Sequence, residues 1–219
     1  MSADAARAPV SERDWWLRLA LVLVAPVHVF AWLRDDSDEA AEARQEPVLL
    51  VGSLCGLAGI LSTSLVQHGL DLDTTLGVKR DGVDLAVVVF IASLLYAAVG
   101  YFAVGAFVYL GEQLADSLGT YRRARHLLVY ASVPFALSLV VWPLRLSLYG
   151  SDNFHSGGSD RHAAAVFQAI EAGAVVWAFV LLLIGIRTVN GWTWTRAAAA
   201  WLAPAAVPAL ALARAYGLL

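Results

Sequence analysis

One carboxylate in this sequence lies where an ionisable group is costly and therefore informative. Glu171 stands inside residues 163–186, an apolar run whose only other strongly polar side chain is Gln168. If the run crosses a bilayer as a helix, Glu171 lies roughly 13 Å below the surface, where an ionised carboxylate must be paired, protonated or hydrated. Arg145, near the end of the preceding apolar run, is the natural partner, and Gln168 adds a hydrogen-bonding group one turn away. These three residues predict an intramembrane polar site, which is either a proton or ligand site or a structural ion pair.

A second candidate site is a cluster of arginines, Arg122, Arg123 and Arg125, which crowd into a short segment between two apolar runs. Basic side chains at a membrane surface attract anionic lipid headgroups by about 1 kcal/mol each. The cluster therefore predicts contacts with lipid headgroups.

Signatures of catalysis are missing from the sequence, which has no G-x-S-x-G, H-E-x-x-H, P-loop or G-x-G-x-x-G motif. These motifs supply the nucleophiles, zinc ligands and phosphate-binding loops of large enzyme classes. The sequence thus predicts no catalytic residue, no cofactor and a protein that is not an enzyme, with an intramembrane hydrolase of diffuse signature as the alternative. Cys55, the only cysteine, lies in an apolar run and is expected to pack rather than to react.

The five histidines are scattered over different segments and predict no metal site. Residues 150–162 do bring two of them near two aspartates, which leaves a weak cation site open, although the glycine and serine content favours a flexible loop. The residues concerned are Asp152, His155, Asp160 and His162.

The composition indicates which solvent surrounds the chain. Hydrophobic residues make up 59% of the 219 residues before the 17 glycines are added, and charged residues only 15%. Average soluble chains have about 45–50% apolar residues, glycine included, and about 25% charged residues. Most of this chain must therefore lie in lipid, and its net charge of −3 gives no basic footprint for nucleic acid.

Five uncharged, apolar runs are close to the roughly 20 residues that a helix needs to cross a bilayer. The sequence therefore predicts an all-α, polytopic bundle with five spans and a domain at 48–219. The predicted spans are 48–66, 85–111, 127–144, 163–186 and 197–213.

Residues 15–33 are apolar but contain Pro26 and only a short uncharged stretch. Polar residues fall along one stripe of a helix here, and tryptophans stand at its start, which is typical of an amphipathic helix lying in the membrane interface. A sixth span and a signal peptide are the alternatives. With the acidic linker that follows, residues 1–47 form a predicted cytosolic N-terminal segment.

The distribution of basic residues predicts the orientation, because cytoplasmic loops are enriched in lysine and arginine. With a cytoplasmic N-terminus and an external C-terminus, ten of the 15 basic residues lie inside. The five outside are Lys79, Arg80, Arg145, Arg161 and Arg214.

Small residues predict where helices approach closely, since lipid provides no hydrophobic drive for helix association. They predict internal packing, with a homo-oligomer face as the alternative. The relevant residues are Gly52, Gly56 and Gly59 in the first span, Gly100, Gly105 and Gly111 in the second, and Ala165, Ala169 and Gly173 in the fourth. Prolines are expected to kink two spans, namely Pro134 and Pro143 in the third and Pro204 and Pro208 in the fifth.

Four short motifs resemble those of the Yip1 domain family of membrane proteins. They are GTYR at 119–122, YASVP at 130–134, LLLIGIR at 181–187 and VNG at 189–191. The motif residues are Gly119, Tyr130, Ser132, Pro134, Gly185 and Gly191.

The resemblance implies a five-span domain with a cytosolic N-terminus, in agreement with the charge distribution. It implies a prokaryotic-type member, because the chain lacks the long N-terminal region and acidic-aromatic motif of the eukaryotic relatives that bind prenylated GTPases. We expect a non-enzymatic scaffold that organises membrane lipids or partner proteins, with a small transport or permeation subunit using Glu171 and Arg145 as the alternative.

Overall fold

The computed structural model of the chain describes residues 15–63, 66, 82–154 and 161–215, with the backbone alone for 161–164 and 205–215. Every regular element in these ranges is helical, as predicted. The helices are α1 (Trp15–Val24), α2 (Pro26–Trp32), α3 (Asp38–Glu42), α4 (Gln45–Leu61), α5 (Gly82–Val99), α6 (Gly105–Leu114), α7 (Tyr121–Ala131), α8 (Val133–Leu137), α9 (Val141–Tyr149), α10 (Arg161–Asn190) and α11 (Trp194–Ala215). A π-turn at Gly100–Val104 joins α5 to α6, and 3-10 turns at Ser138–Val140 and Gly150–Phe154 flank α9.

Three stretches of the described residues are long and apolar enough to cross a membrane: Gly82–Leu114, Tyr121–Phe154 and Ala165–Asn190. They confirm the predicted second, third and fourth segments as apolar helices. The predicted first and fifth segments coincide with α4, which has 17 residues, and with α11. Residues 64 and 65 of the predicted first span lie outside the described residues.

The first of these stretches is longer than a bilayer requires. Its 33 residues rise roughly 50 Å, whereas the hydrocarbon core is about 30 Å thick. One end of Gly82–Leu114 must therefore project beyond the hydrocarbon region.

Prolines divide the predicted third span. α7 ends at Ala131, and a new helix begins at Val133 with Pro134 in its first turn. Pro143 cannot donate to the carbonyl of Leu139, and the helix tightens to a 3-10 turn across Ser138–Val140. The expected interruption is therefore present here, whereas α11 runs as one continuous helix through both of its prolines.

The largest core cluster lies between the N-terminal helices, α7, α8 and the second half of α10. Its fully buried members include Phe30, Leu33, Leu127 and Leu181. By contrast, only 6% of the most apolar window of Gly82–Leu114 is buried, and α5 exposes large apolar side chains over most of its length. Such a surface is suited to hydrocarbon rather than to water.

The N-terminal segment differs from the single amphipathic helix that was predicted. The chain breaks at Ala25 and forms two helices, because Pro26 begins a new one. The polar stripe predicted for this segment packs in part against the protein, because the Arg18 guanidinium lies 4.2 Å from the centre of the Trp32 ring. The two helices bury apolar residues against the bundle and expose others, including Trp16 at 57%, so their placement in the membrane interface stays a prediction.

The glycine prediction is correct for one part of the bundle and wrong for another. A Cβ at Gly56 would collide with the Ser93 carbonyl and Ala97 of α5, and one at Gly111 with the Ala200 carbonyl of α11. These glycines allow close helix packing. The regular seam in α10 is instead exposed over Ala165, Ala169 and Gly173, so it does not pack against the described part of the bundle.

Candidate functional site

The predicted intramembrane residues meet between α9 and α10. Arg145 Nη1 lies 3.6 Å from Glu171 Oε1, and the Arg145 side chain is almost fully buried. Arg145 Nε also donates to Asn153 Oδ1 at 2.9 Å, while Ser62 Oγ donates to Glu171 Oε2 at 3.3 Å. Gln168 is exposed one turn before Glu171. The arrangement neutralises the carboxylate within the apolar segment and links α9, α10 and the end of α4.

The three arginines of the predicted headgroup cluster lie at the start of α7, which Thr120 caps by accepting a hydrogen bond from the Arg123 backbone N–H at 3.2 Å. Each makes a different set of contacts within the protein. Arg122 pairs with Asp38 at 2.7 Å and Asp36 at 3.4 Å, and Arg123 turns into the bundle. The structure therefore does not present the cluster as one uniform basic surface.

Those acidic partners belong to the acidic linker that follows α2. Thr120 Oγ1 donates to Asp36, and the guanidinium of Arg34 donates to the Thr188 carbonyl at 2.6 and 3.0 Å. The linker is thereby fastened to α7 and to the end of α10.

Arg44 anchors the linker from inside. It is fully buried, donates to the Ala40 carbonyl at 2.5 Å and to the Asp35 carbonyl, and lies 4.9 Å from the centre of the Trp32 ring. Burial lowers the pKa of Arg44 from its ordinary value, although a guanidinium remains protonated at neutral pH. A buried cation held by carbonyls and an aromatic ring fixes the conformation of this segment.

A buried polar cluster, consisting of Glu112, Ser117, Arg123 and Asn190, joins α6, α7 and α10. Asn190 Nδ2 donates to Glu112 Oε1 at 2.9 Å, and Asn190 Oδ1 accepts from Ser117 Oγ at 2.7 Å and from Arg123 Nη2 at 3.0 Å. Glu112 is 1% exposed. Gly191, with φ +68°, then ends α10 in the left-handed conformation that favours glycine. We call this cluster, together with the linker contacts, the polar cap.

The family-motif residues divide between the polar cap and the core beneath it. Gly119 donates its backbone N–H to Ser117 Oγ at 3.1 Å, and Gly191 follows Asn190. A Cβ at Gly185 would collide with Leu127 and crowd Phe30. The other three, Tyr130, Ser132 and Pro134, are packed where α7 meets α8.

A groove of about 650 Å³ opens between α4, α5, the π-turn and α7. Val48, Leu49 and Leu94 line its apolar end, whereas Glu42 and Arg125 are among the charged residues at the other. An apolar cavity of about 340 Å³ adjoins it, since Gly52, Ala97 and Tyr101 line both spaces. The groove is thus amphipathic along its length.

The guanidinium of Arg125 is held by aromatic rings rather than by carboxylates. It lies 4.4 Å from the centre of the Tyr121 ring, 4.8 Å from that of Tyr101 and 5.1 Å from that of Phe102. The π-turn carries both of the last two rings, and the Tyr121 hydroxyl donates to the Phe102 carbonyl at 2.7 Å. π-Turns within helices are frequent at functional sites.

Sequence reasoning missed the polar cap and the groove. Glu112 lies just past the end of the predicted second span, and Asn190 lies within a quoted motif, but neither was predicted as a site residue. A carboxylate next to a predicted helix end, with Arg123 nearby in sequence, was the available signal. The groove has no sequence signal of its own, since hydropathy does not encode a π-turn.

The weak cation site considered at 150–162 falls mostly outside the described residues, since 155–160 and the side chain of His162 are not described. Within the described ranges, no three His, Cys, Asp or Glu side chains come together as metal ligands.

Neither a curated protein nor a solved structure matches this chain. The family model described as Yip1 domain matches residues 9–215, which is nearly the whole sequence and includes every motif quoted above. The exposed apolar helices agree with a multi-pass membrane protein. The chain belongs to the Yip1 domain family.

Proposed function

We propose that this chain is a non-enzymatic membrane scaffold, with five spans, a cytoplasmic N-terminus and an external C-terminus, that organises lipids around a rigid cytoplasmic cap. α4 and α11 are the first and fifth spans. The observation that carries the proposal is the polar cap, in which Arg44, Arg122 and Arg123 use their charges to fix the linker and helix ends. Arginines that bind groups of the protein itself in this way stabilise its conformation.

The Glu171 contacts support the scaffold over the transport alternative. The carboxylate has both a cation, Arg145, and a hydroxyl donor, Ser62. A buried pair held in this way ties helices together, and removal of one partner leaves an uncompensated charge.

The proposed topology is tested with cysteine labelling, because Cys55 is the only cysteine. In a Cys55→Ser background, Ser37→Cys and Gly217→Cys are labelled separately with a membrane-impermeant maleimide in sealed, right-side-out vesicles. We expect Gly217→Cys to react in intact vesicles and Ser37→Cys only after permeabilisation. Labelling of both from the same side would refute the five-span topology.

The scaffold role is tested against transport in proteoliposomes by comparing proton and solute flux with Glu171→Gln. Glu39→Gln, an exposed linker residue, is the matched control. We expect no flux above empty vesicles in either variant or in the unmodified protein, and lower thermal stability for Glu171→Gln alone. A flux that Glu171→Gln abolishes and Glu39→Gln retains would refute the scaffold.

A further inference from the structure

We propose that the amphipathic groove binds a phosphatidylethanolamine-type lipid, with its phosphodiester on Arg125, its ammonium on Glu42 and an acyl chain along α4 and α5. The inference rests on the proposed function and specifies which lipid the scaffold holds.

The charges at the groove mouth leave one cation and one anion available. Asp38 also lines the mouth, but it is already paired with Arg122 at 2.7 Å. In the parts of the chain that the structure describes, no carboxylate lies within ion-pair distance of Arg125, and its buried Nε has no hydrogen-bond acceptor. Glu42 is exposed and likewise forms no ion pair with a described residue. The mouth therefore offers one unused guanidinium and one unused carboxylate.

This pair of charges selects among phospholipid headgroups. A phosphodiester accepts charge-assisted hydrogen bonds from guanidinium N–H groups, and a primary ammonium donates such bonds to a carboxylate. Phosphoethanolamine carries both groups. Phosphocholine has no N–H to donate to Glu42, and phosphoglycerol offers only neutral hydroxyls, so neither gives Glu42 a cationic hydrogen-bond donor.

The aromatic rings around Arg125 hold its guanidinium in position to bind the phosphodiester. Three rings lie within 5.1 Å of its guanidinium, which orients the cation without neutralising it. The π-turn supplies two of these rings from one helix. An anion that reaches the groove mouth thus meets a positioned and uncompensated charge.

Glycine keeps the apolar end of the groove open. A Cβ built at Gly52 meets no atom within 4 Å, although Gly56, one turn later, is packed tightly against α5. The space beside Gly52 continues into the adjoining cavity. An acyl chain fits such a space because it buries apolar surface and has no polar group to satisfy.

The experiment measures lipid binding to the full-length chain purified in detergent, by native mass spectrometry, with palmitoyl-oleoyl phosphatidylethanolamine and the matching phosphatidylcholine and phosphatidylglycerol as probes. We expect the ethanolamine lipid to bind roughly threefold to fivefold more tightly than either, because an ion pair at an exposed carboxylate is worth up to about 1 kcal/mol. Equal binding of the three lipids, or preference for phosphatidylglycerol, would overturn the proposal.

Variants separate the parts of the site. Arg125→Gln should weaken all three lipids by roughly tenfold, whereas Glu42→Gln should remove only the preference for ethanolamine. Glu39→Gln is the control for Glu42→Gln and should change neither. An unchanged preference in Glu42→Gln would overturn the assignment of the ammonium.

Gly52→Leu tests the acyl path without touching Arg125, in case Arg125→Gln fails to fold. Leucine should fill the groove and weaken all three lipids, while Gly173→Leu, at an exposed glycine with equally open surroundings, should not. Equal lipid binding by both leucine variants would refute the groove as the site. If the lipid tests fail while topology and flux behave as expected, the lipid inference alone is wrong and the scaffold stands.

Discussion

Replacement of Asn190 by leucine should destabilise the folded protein strongly, because Asn190 is the centre of the polar cap. Its amide holds Glu112, Ser117 and Arg123 through hydrogen bonds of 2.9, 2.7 and 3.0 Å. Leucine has a similar size and removes these three bonds at once, together with the bond that Asn190 Nδ2 donates to the Ile186 carbonyl at 3.0 Å.

The expected loss of stability follows from the buried groups that lose their hydrogen-bond partner. Three hydrogen bonds contribute about 1 kcal/mol each, and an unsatisfied buried group costs about 1–3 kcal/mol, more when it is charged. Glu112 is 1% exposed, and its Oε2 already lacks a hydrogen-bond partner among the described residues. We therefore expect a loss of about 4–6 kcal/mol in the free energy of unfolding.

The assay is unfolding in bicelles by titration with dodecyl sulfate, followed by the fluorescence of the eight tryptophans. Gln168→Leu is the control, since it makes the same kind of change on the exposed face of the same helix, and it should alter stability by less than about 0.5 kcal/mol.

A double-mutant cycle with Glu112→Leu refines the test. If the two side chains depend on each other, the double variant should cost less than the sum of the single variants by about 1–3 kcal/mol. Additive effects, or an Asn190→Leu variant as stable as the control, would refute the reasoning.

Three further predictions concern packing, the linker and its buried anchor. Gly56→Leu should reduce the free energy of unfolding by about 2 kcal/mol or more, because the leucine side chain would meet the backbone of α5. Gly52→Leu should leave it nearly unchanged, because nothing lies within 4 Å of a Cβ there. Chemical unfolding of the two variants tests the difference. The coupling between Asp36 and Arg122, measured in a double-mutant cycle, should be below about 1 kcal/mol and should fall with salt, because the arginine is 35% exposed. Arg44→Ala should cost about 2–4 kcal/mol, since it leaves a cavity and removes the donor from the Ala40 and Asp35 carbonyls. Limited proteolysis should then cleave the linker faster.

The helices were predictable because lipid imposes a simple rule on sequence: long runs without charges. The meeting of Glu171 and Arg145 was predictable for the same reason, since few ionisable groups stand within apolar runs and each needs a partner. Neither inference requires knowledge of how the helices pack.

The polar cap and the groove depend on packing and could not be read in this way. Asp36 and Asp38 look like solvated linker residues until α7 brings Arg122 to them. Small residues are ambiguous too: Gly56 faces a helix, whereas Gly173 is exposed, and their sequence surroundings do not distinguish them.

The π-turn at Gly100–Val104 and the helix that follows it fix the register between the groove and the polar cap. A π-turn accommodates one residue more than the α-helical turn it replaces and absorbs that residue locally, whereas an insertion or deletion of one residue within α6 itself would rotate the residues that follow by about 100°. Gly111 would then leave α11, and Glu112 would leave Asn190, while α5 stayed in place. Single-residue insertions and deletions between the groove and the cap should therefore be far more damaging than substitutions, because the two sites at opposite ends of this stretch share one register.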